Sequence, residues 1–116
     1  EVLSLEEKFL AGQGQNITPA RYSPNAADRQ KISDLVKEEL RKAASVLKVT
    51  GYCRIDAFVR VFEKCEVEII FIEVNSLPGM TPATCIFHQA AINNYKPYEF
   101  INEILEFGFE RVKVKV

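Results

Sequence analysis

Apolar residues at Ile32, Leu35, Val36, Leu40, Ala43, Ala44 and Leu47 recur every three or four positions, with charged residues between them. That spacing predicts a helix with one buried face. Ser23-Pro24 or Asn25 is placed to open it, Pro24 suiting a first turn. Gly51, which tolerates positive φ, is placed to close it. The pattern then changes. Tyr52 to Phe62 is rich in aromatic and β-branched residues, and Val67 to Val74 holds Ile69, Ile70, Phe71 and Ile72 in succession. With the polar Glu63-Lys64-Cys65-Glu66 between them, the two runs predict an antiparallel hairpin. The unbroken apolar run predicts a strand covered on both faces, and Phe58, Phe62 and Phe71 read as core.

Past the hairpin, Asn75 to Pro82 reads as a loop and Thr84 to Asn93 as a short helix. Pro97 begins another helix, with Phe100, Ile101, Ile104 and Leu105 on one face and Gly108 weakening its end. Val112, Val114 and Val116 alternate with basic residues, so the tail reads as an edge strand or a frayed end. Residues 1–26 carry Gly12, Gly14, Pro19 and Pro24 with little periodicity, the pattern of a long, mobile loop.

The 116 residues suffice for a single domain, 1–116, with one modest core. Net charge is −1 and there is no basic stripe, which argues against nucleic acid as partner. No apolar run approaches the roughly 20 residues of a membrane-spanning helix, and no signal peptide is visible. Cys53, Cys65 and Cys85 match neither a disulfide framework nor a zinc site, which fits a reducing cytoplasm. Asn16-Ile17-Thr18 matches a glycosylation acceptor, without meaning in that compartment. The start at Glu1 rather than Met reads as an excised piece of a longer protein. His88, the single histidine, stands outside the motifs and reads as a packing or hydrogen-bonding residue rather than a catalytic one.

The hairpin also gathers chemistry. With Lys64-Cys65 as a two-residue turn, Asp56 faces Glu73 and Arg54 faces Asn75, and all four share one face at the open end. Facing carboxylates repel, so something positive must compensate. Arg54 does so in part. A magnesium ion does so more fully, since hard oxygen donors from Asp, Glu and Asn suit it. A surface ion-pair ladder fits the same four residues. The loop adds a second feature. Pro78-Gly79 predicts a tight turn, after which the backbone N–H groups of Met80 to Thr84 point from a helix N-terminus, a setting that binds phosphate or carboxylate. A metal patch leading into an anion pocket is the layout expected for phosphoryl transfer to a carboxylate.

Gly51-Tyr52-Cys53-Arg54-Ile55-Asp56 resembles the G-x-x-R-x-D strand of D-alanine–D-alanine ligases. Glu73-Val74-Asn75-Ser76-Leu77-Pro78-Gly79-Met80-Thr81 resembles their E-x-N-x-x-P-G-M-T loop. Glu7-Lys8-Phe9, followed by Thr18-Pro19-Ala20, is similar to the family's mobile active-site loop. The resemblance runs from about Glu6 to about Phe107. It implies an α+β fold, the carboxy-terminal lobe of an ATP-grasp domain in which an antiparallel hairpin packs with helices.

The resemblance also implies roles. Asp56, Glu73 and Asn75 match the ligands of a pair of magnesium ions (manganese being an alternative), with Glu73 bridging. Arg54 matches the residue that stabilises the transferring phosphate, Lys8 the loop lysine over the γ-phosphate, and Gly79 a backbone donor near the acyl phosphate. Met80, Thr81 and Thr84 fall at substrate-binding positions, Thr84 where the family usually has serine. Phe9 stands where most members have tyrosine and resembles variants that also make D-alanyl-D-lactate. The implied activity is ATP-dependent ligation of two D-alanines for peptidoglycan precursors, in a cytoplasmic homodimer. The amino-terminal lobes with the adenine site and the first-substrate site would lie upstream, so the chain alone is expected to be inactive. Two other readings stand beside this one: an ATP-grasp carboxylate–amine ligase with a different acceptor, and a non-catalytic scaffold.

Overall fold

A computed structural model describes residues 17–82 and 84–113. They form three helices and one two-stranded antiparallel sheet, an α+β arrangement. Helix α1 spans Ala26–Val46, strand β1 Arg54–Val61, strand β2 Val67–Asn75, helix α2 Cys85–Ile92 and helix α3 Pro97–Lys113. The chain divides into two compact units, residues 21–77 and residues 1–20 with 78–116.

In the first unit, Asn25 opens α1. Its side-chain oxygen accepts from the N–H groups of Ala27 and Asp28 at 2.9 and 3.2 Å, satisfying donors that have no partner inside the helix. Pro24 stays outside the first turn. The helix closes three residues before the expected Gly51. Lys48 takes the left-handed conformation (φ 54°), the Val49 N–H donates to the Ala44 carbonyl and the Lys48 N–H to that of Ser45. This is a full Schellman closure, with lysine where glycine is usual. Gly51, at φ 81°, turns the chain into β1 instead.

The buried face of α1 packs on both strands. Ile32 (1 % exposed) and Val36 form its centre. Ile55, Val59, Val67, Ile69 and Val74 are half-buried, whereas Phe58 (63 %), Phe62, Phe71 and Ile72 are exposed. The expectation that the strand is covered on both faces, and that these phenylalanines are core, is therefore corrected. The sheet has two strands, and within this unit its one helix lies against it with the Ile32–Val36 stripe.

The turn is also one residue longer than the two-residue reading. Glu63–Cys65 forms a short 3₁₀ turn, closed by a Phe62 N–H bond to the Glu66 carbonyl at 2.8 Å. Lys64 and Cys65 both adopt positive φ, 59° and 62°. The Cys65 thiol donates to the Asp28 carboxylate at 3.4 Å, tying the turn to the first turn of α1. Desolvation first, and then Asp28, push that thiol's pKa up, so Cys65 is a packing thiol rather than a reactive one. None of the three cysteines is in a disulfide.

In the second unit α2 packs against α3. Phe100 stacks edge-on against Phe87 and Tyr95 at 5.8 and 6.1 Å. Helix α2 ends as α1 does, with Asn94 at φ 66° and the Tyr95 N–H donating to the Ala90 carbonyl. Helix α3 continues through Gly108 to Lys113, so Val112 is helical and not part of a strand; Val114 and Val116 lie outside the described residues. Its expected apolar face divides, Phe100 and Ile104 being half-buried and Ile101 and Leu105 exposed. Among the described residues, no helix is long and apolar enough to cross a membrane.

Ile32 is the one large side chain that is fully buried among the described residues. Ile32→Ala should cost about 2–5 kcal/mol in urea unfolding, and Leu47→Ala, at an exposed cap, less than about 0.5 kcal/mol. Equal effects would contradict this placement of the core.

Candidate functional site

Strand register decides what meets at the open end of the hairpin. Arg54 pairs with Asn75, Ile55 with Val74 and Asp56 with Glu73. Past that point the register slips: Ala57 pairs with Phe71, leaving Ile72 as an unpaired bulge residue. The three-residue turn alone would have faced Asp56 with Ile72 and sent Glu73 to the opposite face. The bulge reverses that. Arg54, Asp56, Glu73 and Asn75 end on one face, as the sequence predicted, although the turn is not the one assumed.

Arg54 binds both acids. Its Nε donates to Asp56 Oδ1 at 2.8 Å and its Nη2 to Asp56 Oδ2 at 2.9 Å, a two-pronged contact that fixes the guanidinium plane. Nη2 also donates to Glu73 Oε1 at 3.1 Å. The Asp56 hydrogen bond is the chief cause raising the Arg54 pKa above its ordinary value; partial burial opposes it, and the charges of Asp56 and Glu73 add to it. Further along the same face, Arg60 reaches Glu68 at 3.0 Å in a more exposed pair.

Asn75 is held by its own loop. Its Oδ1 accepts from the Leu77 N–H at 3.1 Å, an Asx turn that bends the chain at Ser76–Leu77. The bend thus lies before Pro78-Gly79, not at it. Sequence reasoning passed over this contact, although an asparagine two residues ahead of a Leu-Pro-Gly run is a usable signal for it.

Gly79, Met80, Thr81 and Thr84 belong to the second unit. The Thr84 N–H and hydroxyl both donate to the Thr81 carbonyl, at 3.0 and 2.8 Å. Thr84 is the cap residue of α2, so the helix begins after it, and the Thr84 N–H is not available to an anion. The expected row of N–H donors from Met80 to Thr84 is corrected on that point. A Cβ on Gly79 would meet only Thr84 Cγ2, at an ordinary 3.8 Å, so its immediate surroundings do not demand glycine. Lys8 and Phe9 lie outside the described residues. His88 is exposed on α2.

A family model described as "D-ala D-ala ligase C-terminus" matches residues 1–106. This chain belongs to the D-alanine–D-alanine ligase family. It is 32% identical over 106 residues to the D-alanine–D-alanine ligase of Carboxydothermus hydrogenoformans, covering 90% of this chain and 31% of that protein. It is 31% identical over 111 residues to the ligase of Leptospira interrogans, covering 96% of this chain and 28% of that protein. The Syntrophobacter fumaroxidans ligase is 35% identical over 91 residues, 78% of this chain and 25% of that protein. The chain thus spans about 30% of the length of these ligases. No solved structure gives a significant match.

The donor set can be tested against the magnesium that this family implies. Two carboxylates and an amide oxygen on one face are hard oxygen donors of the right type. Among the described residues no group of three or more His, Cys, Asp or Glu side chains gathers into a metal cage. The donors fit.

Because Arg54 and Asp56 are about one-third exposed, their coupling in a double-mutant cycle should be about 0.5–1 kcal/mol in low salt and shrink in 1 M salt. A salt-independent coupling would contradict the screened geometry.

Proposed function

We propose that this chain is the carboxy-terminal catalytic part of an ATP-dependent ligase that joins two D-alanines, and that it requires the rest of the protein to act. The observation carrying this reading is the pairing of Asp56 with Glu73, flanked by Arg54 and Asn75, in a chain that matches the ligase family over residues 1–106. The chain's share of its relatives' length supports the second half: about 70% of such a protein lies elsewhere.

In this reading the γ-phosphoryl of ATP passes to the carboxylate of the first D-alanine, giving an acyl phosphate and ADP. The amine of the second D-alanine attacks the acyl carbon and loses a proton, and inorganic phosphate leaves. Asp56, Glu73 and Asn75 would hold magnesium, whose positive charge would offset the negative charge that develops on the phosphates. Arg54 stabilises the transferring phosphoryl group. The Gly79 N–H serves as a donor near the acyl phosphate. Thr84 is the weaker assignment, since its hydroxyl must leave the Thr81 carbonyl to bind a substrate carboxylate. Lys8 closes over the γ-phosphate. Phe9, lacking a tyrosine's hydroxyl, favours a relaxed second-substrate preference that admits D-lactate. The setting is the cytoplasm, and the product feeds peptidoglycan synthesis.

The test uses the longest parent chain that carries these residues. D-alanine-dependent phosphate release from ATP and magnesium is expected, and Asn75→Ala should reduce it by at least about a hundredfold, as loss of a metal ligand does. Release that does not depend on D-alanine would move the assignment to another carboxylate substrate. No release from a folded parent that binds ATP would favour the scaffold reading.

A further inference from the structure

We propose that Arg54 is a built-in counter-cation of the metal site, so that a divalent ion binds only as the guanidinium leaves Asp56 and Glu73. The proposal rests on the metal-site reading above and adds to it a coupling between metal binding and the position of Arg54.

The contacts themselves make the case. Both Asp56 oxygens accept from Arg54, and Glu73 Oε1 accepts from the Nη2 that already serves Asp56. Three of the four carboxylate oxygens of Asp56 and Glu73 therefore face one guanidinium. A cation that takes an Asp56 oxygen and a Glu73 oxygen together occupies the same space between the strands. It would also meet a fixed positive charge at contact distance, which is repulsive at any effective dielectric. Asn75 differs. Its Oδ1 accepts a single N–H from Leu77 and keeps a second lone pair, so its share of the site is not contested.

The Arg54 side chain is one-third exposed and that of Glu73 more than half exposed, so solvent reaches the contact. When a metal displaces it, the guanidinium is released a few ångströms from the metal's own ligands, within reach of an anion bound there. One residue thus neutralises the acid pair before metal arrives and supplies a free cation afterwards. Metal loading and arming of Arg54 become the same event.

The experiment measures Mn²⁺ binding to the full chain by the electron paramagnetic resonance signal of the unbound ion. It compares wild type, Arg54→Gln, Arg60→Gln and Asp56→Asn. Removing the competing charge should tighten binding roughly three- to tenfold in Arg54→Gln, a range set by screened charges at a half-exposed site. Arg60→Gln removes an equal charge from the same face without touching Asp56 or Glu73 and should change binding less than about twofold. In wild type, Mg²⁺ should shift the Arg54 Nε–H resonance and speed its exchange with water. Arg54→Lys, which keeps the charge but not the two-pronged contact, serves if the glutamine variant does not fold, and should bind with intermediate affinity. Equal or weaker binding by Arg54→Gln, with binding lost in Asp56→Asn, overturns the proposal and leaves the metal site standing. An equal gain in Arg60→Gln overturns it too, since general charge then suffices. No uptake by any variant overturns it, and the metal reading is then decided by the Asn75→Ala assay in the parent.

Discussion

Ile72 has no partner on β1, and that one unpaired residue decides which side chains share a face. Side chains alternate along a strand, so a slip of one position moves a whole set to the other side. From the turn to Ala57, the register set by Glu63–Cys65 sends Val59 and Ile69 toward α1 and leaves Arg60 and Glu68 on the outer face. Continued unchanged, it would have split Asp56 from Glu73. The bulge resets the alternation, so the open end carries its acids on the same face as Arg60 and Glu68. Bulges are frequent beside active sites because they re-aim side chains in this way.

The same hairpin explains why the fold looks spare. One helix stripe, centred on Ile32 and Val36, supplies the buried face of its unit, while Phe58, Ile70, Phe71 and Ile72 remain exposed on the sheet. A two-stranded sheet with one helix is near the lower limit of independent stability. Among the described residues, neither edge of the sheet is paired with a further strand. Local devices take on much of the specification: an asparagine cap, two Schellman closures and a thiol tying the turn to α1.

Much of this was legible beforehand, for reasons that differ by element. Helix α1 announced itself through apolar spacing and Asn25, both local signals. The family was legible because its two motifs lie in order across one hairpin. The facing of Asp56 and Glu73 was read correctly from a turn that is one residue too short, and the bulge makes up the difference. Neither departure leaves a strong mark in sequence, since Lys64 and Cys65 adopt positive φ without glycine and Ile72 looks like any strand isoleucine. Gly51 misled, whereas Gly108 lies near the end of its helix, where it was placed. Lys48 took the closing conformation expected of Gly51, and α3 continued through Gly108 because its flanking turns outweigh one poor helix former. Phe58 and Phe62 were read as core from residue type alone, which does not report how many elements are present to cover them.

The most direct test is of the register itself. With Cys53, Cys65 and Cys85 replaced by serine, Asp56→Cys is paired with Glu73→Cys in one variant and with Ile72→Cys in another. Positions paired across the two strands lie within disulfide reach, whereas Ile72, at the bulge, is paired with no residue of β1. The first pair should close readily under mild oxidation and the second should not. Closure of the Ile72 pair in preference to the Glu73 pair would place Glu73 on the opposite face from Asp56, and the site described above would not exist.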